Sequence, residues 1–457
     1  MDERLFAELW DELTEDILPF WMKRAKDAEH GGFYGAIGSD GKGDPTEWRG
    51  IVMVSRFLWT YSAAARFLNG SSAQDTASAR DAASRRTAGP AAASAAGTSS
   101  GSEAAAKVSS ASGTASCMEM AAYAYAYMMQ RFADRRDGGM FWSVTADGSL
   151  LVTRKQVYGN AFALYALSEY AAALRDVSGA EGDARSVMDE ALRLFCILEE
   201  KARDRNCGGY WEALARDWQP TQETKLSDKD IDCDKSMNTN LHVMEAYTNL
   251  YRTLPLVCPE KQAERRAVGA ALEALVRVHA DKILDRRDWH LDLYFNADWS
   301  RAGEDEISYG HDIEASWLLW EAAEVLGDEA LKDSVRPVAV AVAETALREG
   351  WDESTGGFED TMSPAGERRT VRIWWNQAEA LNGFYNAWEM TGEAKYAAAV
   401  EKTWAWIRDF QRDREHGEWF WAVSKEGKPA LQELKGGNWK TSYHNARCCM
   451  ELLRRRR

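Results

Sequence analysis

Six times along the chain, a turn rich in glycine and aromatic residues leads through a polar approach into an apolar helix and then a more charged one. The turns read GGFYG at 31–35, GGMFW at 138–142, GGYWE at 208–212, GGFED at 356–360 and HGEWFW at 416–421. WHLDLYFNADW at 289–299 fills the remaining slot without the glycines. The apolar helices that follow begin near Trp48, Thr153, Lys235, Glu306, Arg372 and Asn438. A repeated helical unit cannot bury its own apolar face and must stack on its neighbours, so this repeat limits the fold more than any other feature. The apolar helices should form an inner layer, and the charged amphipathic ones, such as 184–204 and 263–277, an outer layer. Strand pattern is confined to the short aromatic segments after the turns, read as hairpins. Six units, the last resembling the others, predict an all-α (α/α)6 barrel of six inner and six outer helices with short hairpins at the active-site end. An open solenoid is the alternative.

Residues 71–116 interrupt the pattern. They hold no aromatic residue and, apart from alanine, a single aliphatic one, Val108. They stretch the first repeat to 107 residues, from Gly31 to Gly138, against 70 from Gly138 to Gly208. So little apolar surface cannot offset the cost of ordering, and a long surface insertion costs little stability. The expectation is a flexible, low-complexity insertion at 71–116 within a single barrel domain spanning 1–457.

A formal charge of -16 and a pI near 5.1 argue against nucleic acid or an anionic membrane as a partner. The basic run Arg454–Arg457 reads as a solvated helix end. Seven cysteines without a CxxC motif, two of them the adjacent Cys448 and Cys449, read as reduced, buried thiols. The N-terminal MDERLFAELWDEL is acidic and amphipathic, unlike a signal peptide, and no apolar run is long enough to span a bilayer. A cytoplasmic protein is expected. Twenty tryptophans exceed what a core needs, and flat indoles suit the apolar face of a sugar ring.

Histidine is scarce, yet His242, His311 and His444 each lie near the start of an inner helix, with Glu245, Glu314 and Arg447 three residues on. In a closed barrel those starts converge, so the three imidazoles should meet in one pocket and serve as acid and base. The plainer reading, three helix-end histidines with ordinary hydrogen bonds, does not account for the repetition. His30 and His416 abut turns, His279 lies on an outer helix and reads as structural, and His290 stays open. Three histidines can hold zinc, but these come from separate helices without a local pair, and Glu and Arg beside them suit proton transfer and oxyanion support. No metal and no cofactor is expected.

Arg56 sits inside an apolar helix, where a cation needs a partner or a ligand. Tyr158, Asn160, Asn238 and Gln377 fill corresponding helix starts and could hydrogen-bond a polyhydroxylated ligand, with Trp374 and Trp375 as stacking surfaces and Arg447 as a further substrate contact. The chain has no GxxxxGK[ST], no strand-linked GxGxxG and no GxSxG. Glycoside hydrolysis could be built on Glu314 with Asp312 or Glu379, but it would leave the repeated histidines without a purpose.

The stretches ILPFWM with GGFYG, TRKQVYGNAFALYALSEY, SMNTNLHVMEAYTNLY, ISYGHDIEASWLLWEAAEVLG, WWNQAEALNGFYNAW and KTSYHNARCCMEL closely resemble the N-acylglucosamine 2-epimerase superfamily, and within it the cellobiose 2-epimerases. The resemblance covers nearly the whole chain outside 71–116. It implies an (α/α)6 barrel and reversible epimerisation at C2 of the reducing-end glucose of a β-1,4-linked disaccharide, without metal or redox cofactor. It further implies that His311 and His444 exchange the C2 proton, that His242 assists ring opening or proton relay, that Glu314 orients His311, and that Arg56 binds substrate oxygens. A monomer is expected rather than a homodimer.

The chain departs from that pattern at Val54, where a polar residue, typically Asn, is expected and whose loss could loosen contacts around Arg56. It departs again at Asn240, which stands where the pattern has a His, and in the insertion. The competing readings are an N-acylglucosamine 2-epimerase or aldose–ketose isomerase on the same fold, a hydrolase on the same barrel, and a sugar-binding relative without turnover.

Overall fold

The computed structural model describes residues 1–86, 100–303 and 306–456, so the middle of the 71–116 insertion lies outside the described residues. In chain order the helices are α1 (Glu3–Asp11), α2 (Leu18–Arg24), α3 (Ile51–Arg86), α4 (Ser100–Arg131), α5 (Val157–Asp176), α6 (Glu181–Ile197) and α7 (Met237–Val257). They continue as α8 (Gln262–Val278), α9 (Tyr309–Leu326), α10 (Glu329–Glu349), α11 (Trp374–Thr391), α12 (Ala394–Trp406) and α13 (Tyr443–Arg455). A π-helical stretch, Glu12–Ile17, joins α1 to α2 into one outer element. At the insertion, helix runs on to Arg86 and resumes at Ser100, as the high helix propensity of alanine favours.

The inner ring closes. Each of α3, α5, α7, α9, α11 and α13 touches the next, and α13 returns to α3. The inner helices are buried on nearly all sides, polar residues included: α5 is buried continuously from Val157 to Ala173. Outer helices bury one stripe only, as α6 does with Ala184, Val187, Met188, Ala191, Leu192 and Phe195. The difference in sequence character therefore sorts the helices into layers, and one apolar core runs from Leu5 to Leu452.

The short strands differ from the expected local hairpins, because most of them pair between neighbouring repeats. Lys155–Gln156 pairs with Ala213–Leu214, Lys235–Ser236 with Tyr294–Phe295, and Arg372–Ile373 with Ala422–Val423. The last approach, Gly436–Gly437, pairs antiparallel with Ala36–Ile37 of the first turn. The rim is thus closed by backbone hydrogen bonds as the barrel is closed by packing.

A buried ion pair recurs under this rim. The Asp that opens each glycine turn caps the turn's backbone and binds a cation in the approach to the next inner helix: Lys155 to Asp134 at 2.9 Å, Lys235 to Asp204 at 2.6 Å, Arg372 to Asp352 at 2.9 Å, with Arg49–Asp27 and Lys435–Asp413 alike. Such pairs specify geometry more than they stabilise. The glycines are required at two of these turns: a Cβ on Gly139 would lie 2.5 Å from the Trp218 ring, and one on Gly209 2.3 Å from Trp299. The two indoles lock the turns by donating through Nε1 to the carbonyls of Asp137 and Cys207. No described helix is long and apolar enough to cross a membrane.

Candidate active site

The starts of the inner helices surround a cavity of about 660 Å³ at the strand-bearing end of the barrel. Arg56, Tyr158, Asn238, His242, His311, Glu314, Trp374, Trp375 and His444 all line it, so nine of the twelve residues singled out from the sequence meet there. The three imidazoles do converge, though not at one level. His311 and His444 are the third and second residues of α9 and α13, whereas His242 is the sixth of α7, about one turn deeper.

Each imidazole has a distinct partner. His242 Nδ1 lies 2.8 Å from Glu245 Oε2 on the same helix face, the three-residue spacing expected. His444 Nδ1 is paired across the barrel with Glu379 Oε1 at 2.6 Å. His311 Nδ1 lies 2.7 Å from the hydroxyl of Ser308 in the approach strand. Glu314 was expected to orient His311; its carboxylate instead accepts from Arg447 at 2.7 Å. Trp375 packs near both His311 and His444, its ring centroid 4.8 Å from the first and 5.7 Å from the second.

Arg447 does not reach the cavity. Only 1 % exposed, it lies behind the imidazoles, where it donates to Glu314 and Glu379 at 2.7 Å each and also binds Glu245 and the Tyr443 hydroxyl. Three carboxylates from α7, α9 and α11 converge on one guanidinium, which fixes the angular positions of four inner helices. Asn160 and Gln377 are likewise not ligand contacts. Asn160 Oδ1 accepts from Met140 N at 2.8 Å and Gln377 Oε1 from Phe358 N at 2.8 Å, so each clamps the backbone of an aromatic turn. Asn240 makes the same clamp on Tyr210 N, and Asp312 on Leu291 N. All four are the fourth residue of their inner helix, and the equivalent position of α3 is Val54. Val54 is buried and carries no side-chain acceptor for such a clamp.

Arg56 is 4 % exposed and donates to the Trp439 carbonyl at 2.9 Å and the Tyr158 hydroxyl at 3.0 Å. Its guanidinium carbon sits 4.6 Å from the Phe162 ring and 5.1 Å from the Tyr443 ring, a stacked cation at the cavity wall. Asn238 Oδ1 and Trp374 Nε1 are buried without a protein partner.

Electrostatics hold the imidazoles neutral. Burial, with His242 and His444 nearby, pushes His311 down to about 3; burial outweighs Glu379 at His444, which also falls to about 3; and His242 is lowered for the same reason. Glu245 and Glu379 are held low against their burial by Arg447 and by their histidines. Glu314 is pushed well up by burial and by Glu379, the expected outcome when three carboxylates share one cation. A neutral imidazole backed by a carboxylate is equipped to take a proton from a weak carbon acid.

Among the described residues, Glu314, Glu379 and His444 bring possible metal-ligand atoms within 4.8 Å of one another. Arg447 already donates to both carboxylates, so a guanidinium stands where a balancing cation would. Two further histidines are structural: His279 bonds the Leu275 carbonyl at 2.9 Å, and His290 is held by Asp312 and Glu349, which raise it to about 9 against burial. Sequence reasoning missed Glu379 as the partner of His444, Ser308 as that of His311, and Trp439 in the wall. The one signal for Glu379 was an acidic residue inside an otherwise apolar inner helix, a position that demands a partner.

The family model for N-acylglucosamine 2-epimerase matches residues 105–448. A cellobiose 2-epimerase of Bacteroides fragilis is 37% identical over 99% of this chain and 100% of its own length. The solved structure of a cellobiose 2-epimerase from Spirochaeta thermophila superposes with a TM-score of 0.79 at 36% identity, covering 99% of this chain and 96% of that one. That from Bacillus thermoamylovorans gives 0.80 at 31%, covering 99% and 100%.

Proposed function

The chain belongs to the N-acylglucosamine 2-epimerase family, and on that premise we propose that it is a cellobiose 2-epimerase, converting the reducing-end glucose of a β-1,4-linked disaccharide to mannose and back. Cellobiose becomes glucosyl-mannose and lactose becomes epilactose. The observation that carries the reading is the pair His311 and His444, two neutral imidazoles that both pack near Trp375 at the wall of one cavity.

The chemistry follows from what faces the cavity. Once the ring opens, the C2 proton is α to a carbonyl and weakly acidic. His242, backed by Glu245, moves the proton that ring opening requires between O5 and O1. One of His311 and His444 removes the C2 proton, giving a cis-enediolate. That imidazolium returns it to the opposite face after rotation about C1–C2, or the other imidazole, first protonated from solvent, delivers a proton there while the first releases its own to solvent. Arg56 stabilises the developing oxyanion, since a fixed cation in a water-poor site acts strongly on charge that forms there. Tyr158 and Asn238 bind sugar hydroxyls, Trp374 and Trp375 support the ring faces, and Glu314 sets the charge behind His311 through Arg447.

No metal or redox cofactor enters this scheme, because proton transfer at an acidic C–H needs bases and an oxyanion site alone. We place the enzyme in the cytoplasm as a monomer made of one barrel domain. All seven cysteines are unpaired, which suits a reducing compartment, although Cys196 and Cys207 are exposed where buried thiols were expected; seven large apolar side chains are exposed among the described residues, too few for an obligate interface. Chromatography of a cellobiose incubation tests the activity: glucosyl-mannose as the product supports it, and free glucose or unchanged cellobiose contradicts it.

A further inference from the structure

A second, smaller space adjoins the main cavity beneath the loop 224–234. It measures about 40 Å³, and Glu212, Cys233, Ser236, Asn238, Tyr294 and His311 are among its walls. His311 lines both spaces. A water needs roughly 10–15 Å³ of such space and two or more polar partners. This chamber offers a carboxylate, a serine hydroxyl, a tyrosine and the unpartnered Oδ1 of Asn238.

Glu212 closes the turn GGYWE, in the slot that Leu293, Asp360 and Trp421 occupy in later repeats, each of which faces the main cavity. It is 2 % exposed, and no ion pair holds it among the described residues. Its carboxylate accepts from the hydroxyls of Ser236 at 2.5 Å and Thr239 at 2.8 Å, both at the start of α7. The charged or titratable groups near it are Asp230, which accepts from the Tyr294 hydroxyl, the Cys233 thiol and His311. Burial lifts Glu212 to about 7, so it changes protonation near neutral pH. None of the ion pairs, turn clamps or sugar contacts described above uses this buried acid.

We propose that Glu212 is the proton-holding partner of His311, joined to it by water in this chamber. When His311 has taken the C2 proton on Nε2, Nδ1 being held by the Ser308 hydroxyl, that same Nε2 passes the proton to a water in the chamber, which gives one of its own to the Glu212 carboxylate. The imidazole is neutral again and the acid is protonated, with no net gain or loss of charge. The proton then returns by the same path or exchanges with solvent. Glu212 thus acts through His311 as a positioning residue and does not touch the sugar. The proposal rests on the epimerase reading.

The test uses cellobiose, and separately its epimer, deuterated at C2 and incubated in ordinary water with the full-length protein. For each, the protium that enters recovered starting sugar is divided by the epimer formed. Because the relay frees the label from His311 before it returns to carbon, Glu212→Gln should lower this ratio at least about fivefold in the direction that uses His311 as base, with KM within about twofold. Cys233→Leu, which fills the chamber and leaves the Glu212 hydrogen bonds in place, should do the same, and it decides the matter if Glu212→Gln does not fold. A merely structural role for Glu212 would slow turnover and leave the ratio unchanged. An unchanged ratio in both directions overturns the relay, whereas a parent protein that forms no epimer overturns the epimerase reading instead.

Discussion

His444 donates through Nδ1 to the Glu379 carboxylate 2.6 Å away, a bond between two inner helices that begin 69 residues apart in the chain. The bond fixes which nitrogen of the ring carries the proton and leaves Nε2 bare. Glu379→Gln preserves the size of the side chain but can present an amide to the ring and favour the wrong tautomer. With substrate contacts untouched, kcat should fall by about 10²-fold or more while KM changes little. Steady-state kinetics on cellobiose checks this, and a KM effect without a kcat effect would contradict it.

Among the described residues, Arg447 is the one Arg or Lys paired with Glu245, Glu314 and Glu379. Arg447→Met leaves those carboxylates buried together, and loss of one partner from a buried ionic cluster costs about 3–5 kcal/mol. Arg447→Lys cannot reproduce the fork that reaches three helices and should recover only part of the loss. Denaturant unfolding of both variants measures the difference. Equal stability of the parent and Arg447→Met would show that the cluster does not hold the inner ring together.

The depressed imidazoles give the stability a definite pH dependence. An unfolded histidine titrates near 6.5, while His311 and His444 titrate near 3 in the fold. Between those values the unfolded chain binds protons that the folded chain refuses, so these groups make the protein less stable as pH falls from 6.5 towards 3, by up to about 1.4 kcal/mol per pH unit for each. His311→Asn removes one such group. Its unfolding free energy, measured from pH 7 to pH 4, should decline less steeply than that of the parent, and identical slopes would contradict the buried, neutral assignment.

Asn160 and Gln377 separate turn clamps from ligand contacts. Asn160→Ala leaves the Met140 backbone N–H buried without its acceptor, at a cost of about 1–3 kcal/mol. KM for cellobiose should stay near that of the parent. Asn238→Ala, in contrast, removes an amide with a free acceptor at the cavity wall and should raise KM with little loss of stability. Kinetics and unfolding on the same two variants distinguish the roles.

The barrel was legible because its signal is distributed: six turns of like spacing and two classes of helix leave few ways to close the chain. The convergence of His242, His311 and His444 followed from that closure, as did Arg56 and Tyr158 in the cavity wall. What could not be read was which polar side chain turns inward. Asn160 and Asn238 each lie at the start of an inner helix, yet one clamps a turn and the other faces the cavity, because a two-residue difference in helix position rotates a side chain by about 200°. The pairing of His444 with Glu379, and of Arg447 with three carboxylates, depends on the spacing between helices that never neighbour one another in sequence. The rim strands were misplaced for the same reason: a two-residue strand carries no mark of whether its partner is local or belongs to the next repeat.

The central claim is that His311 and His444 exchange a proton at C2, and proton NMR of cellobiose with the protein in D2O tests it most directly. The predicted result is mannose-type reducing-end signals with deuterium at C2, and loss of both in His311→Asn and in His444→Asn. Near-normal epimerisation by either variant would contradict it.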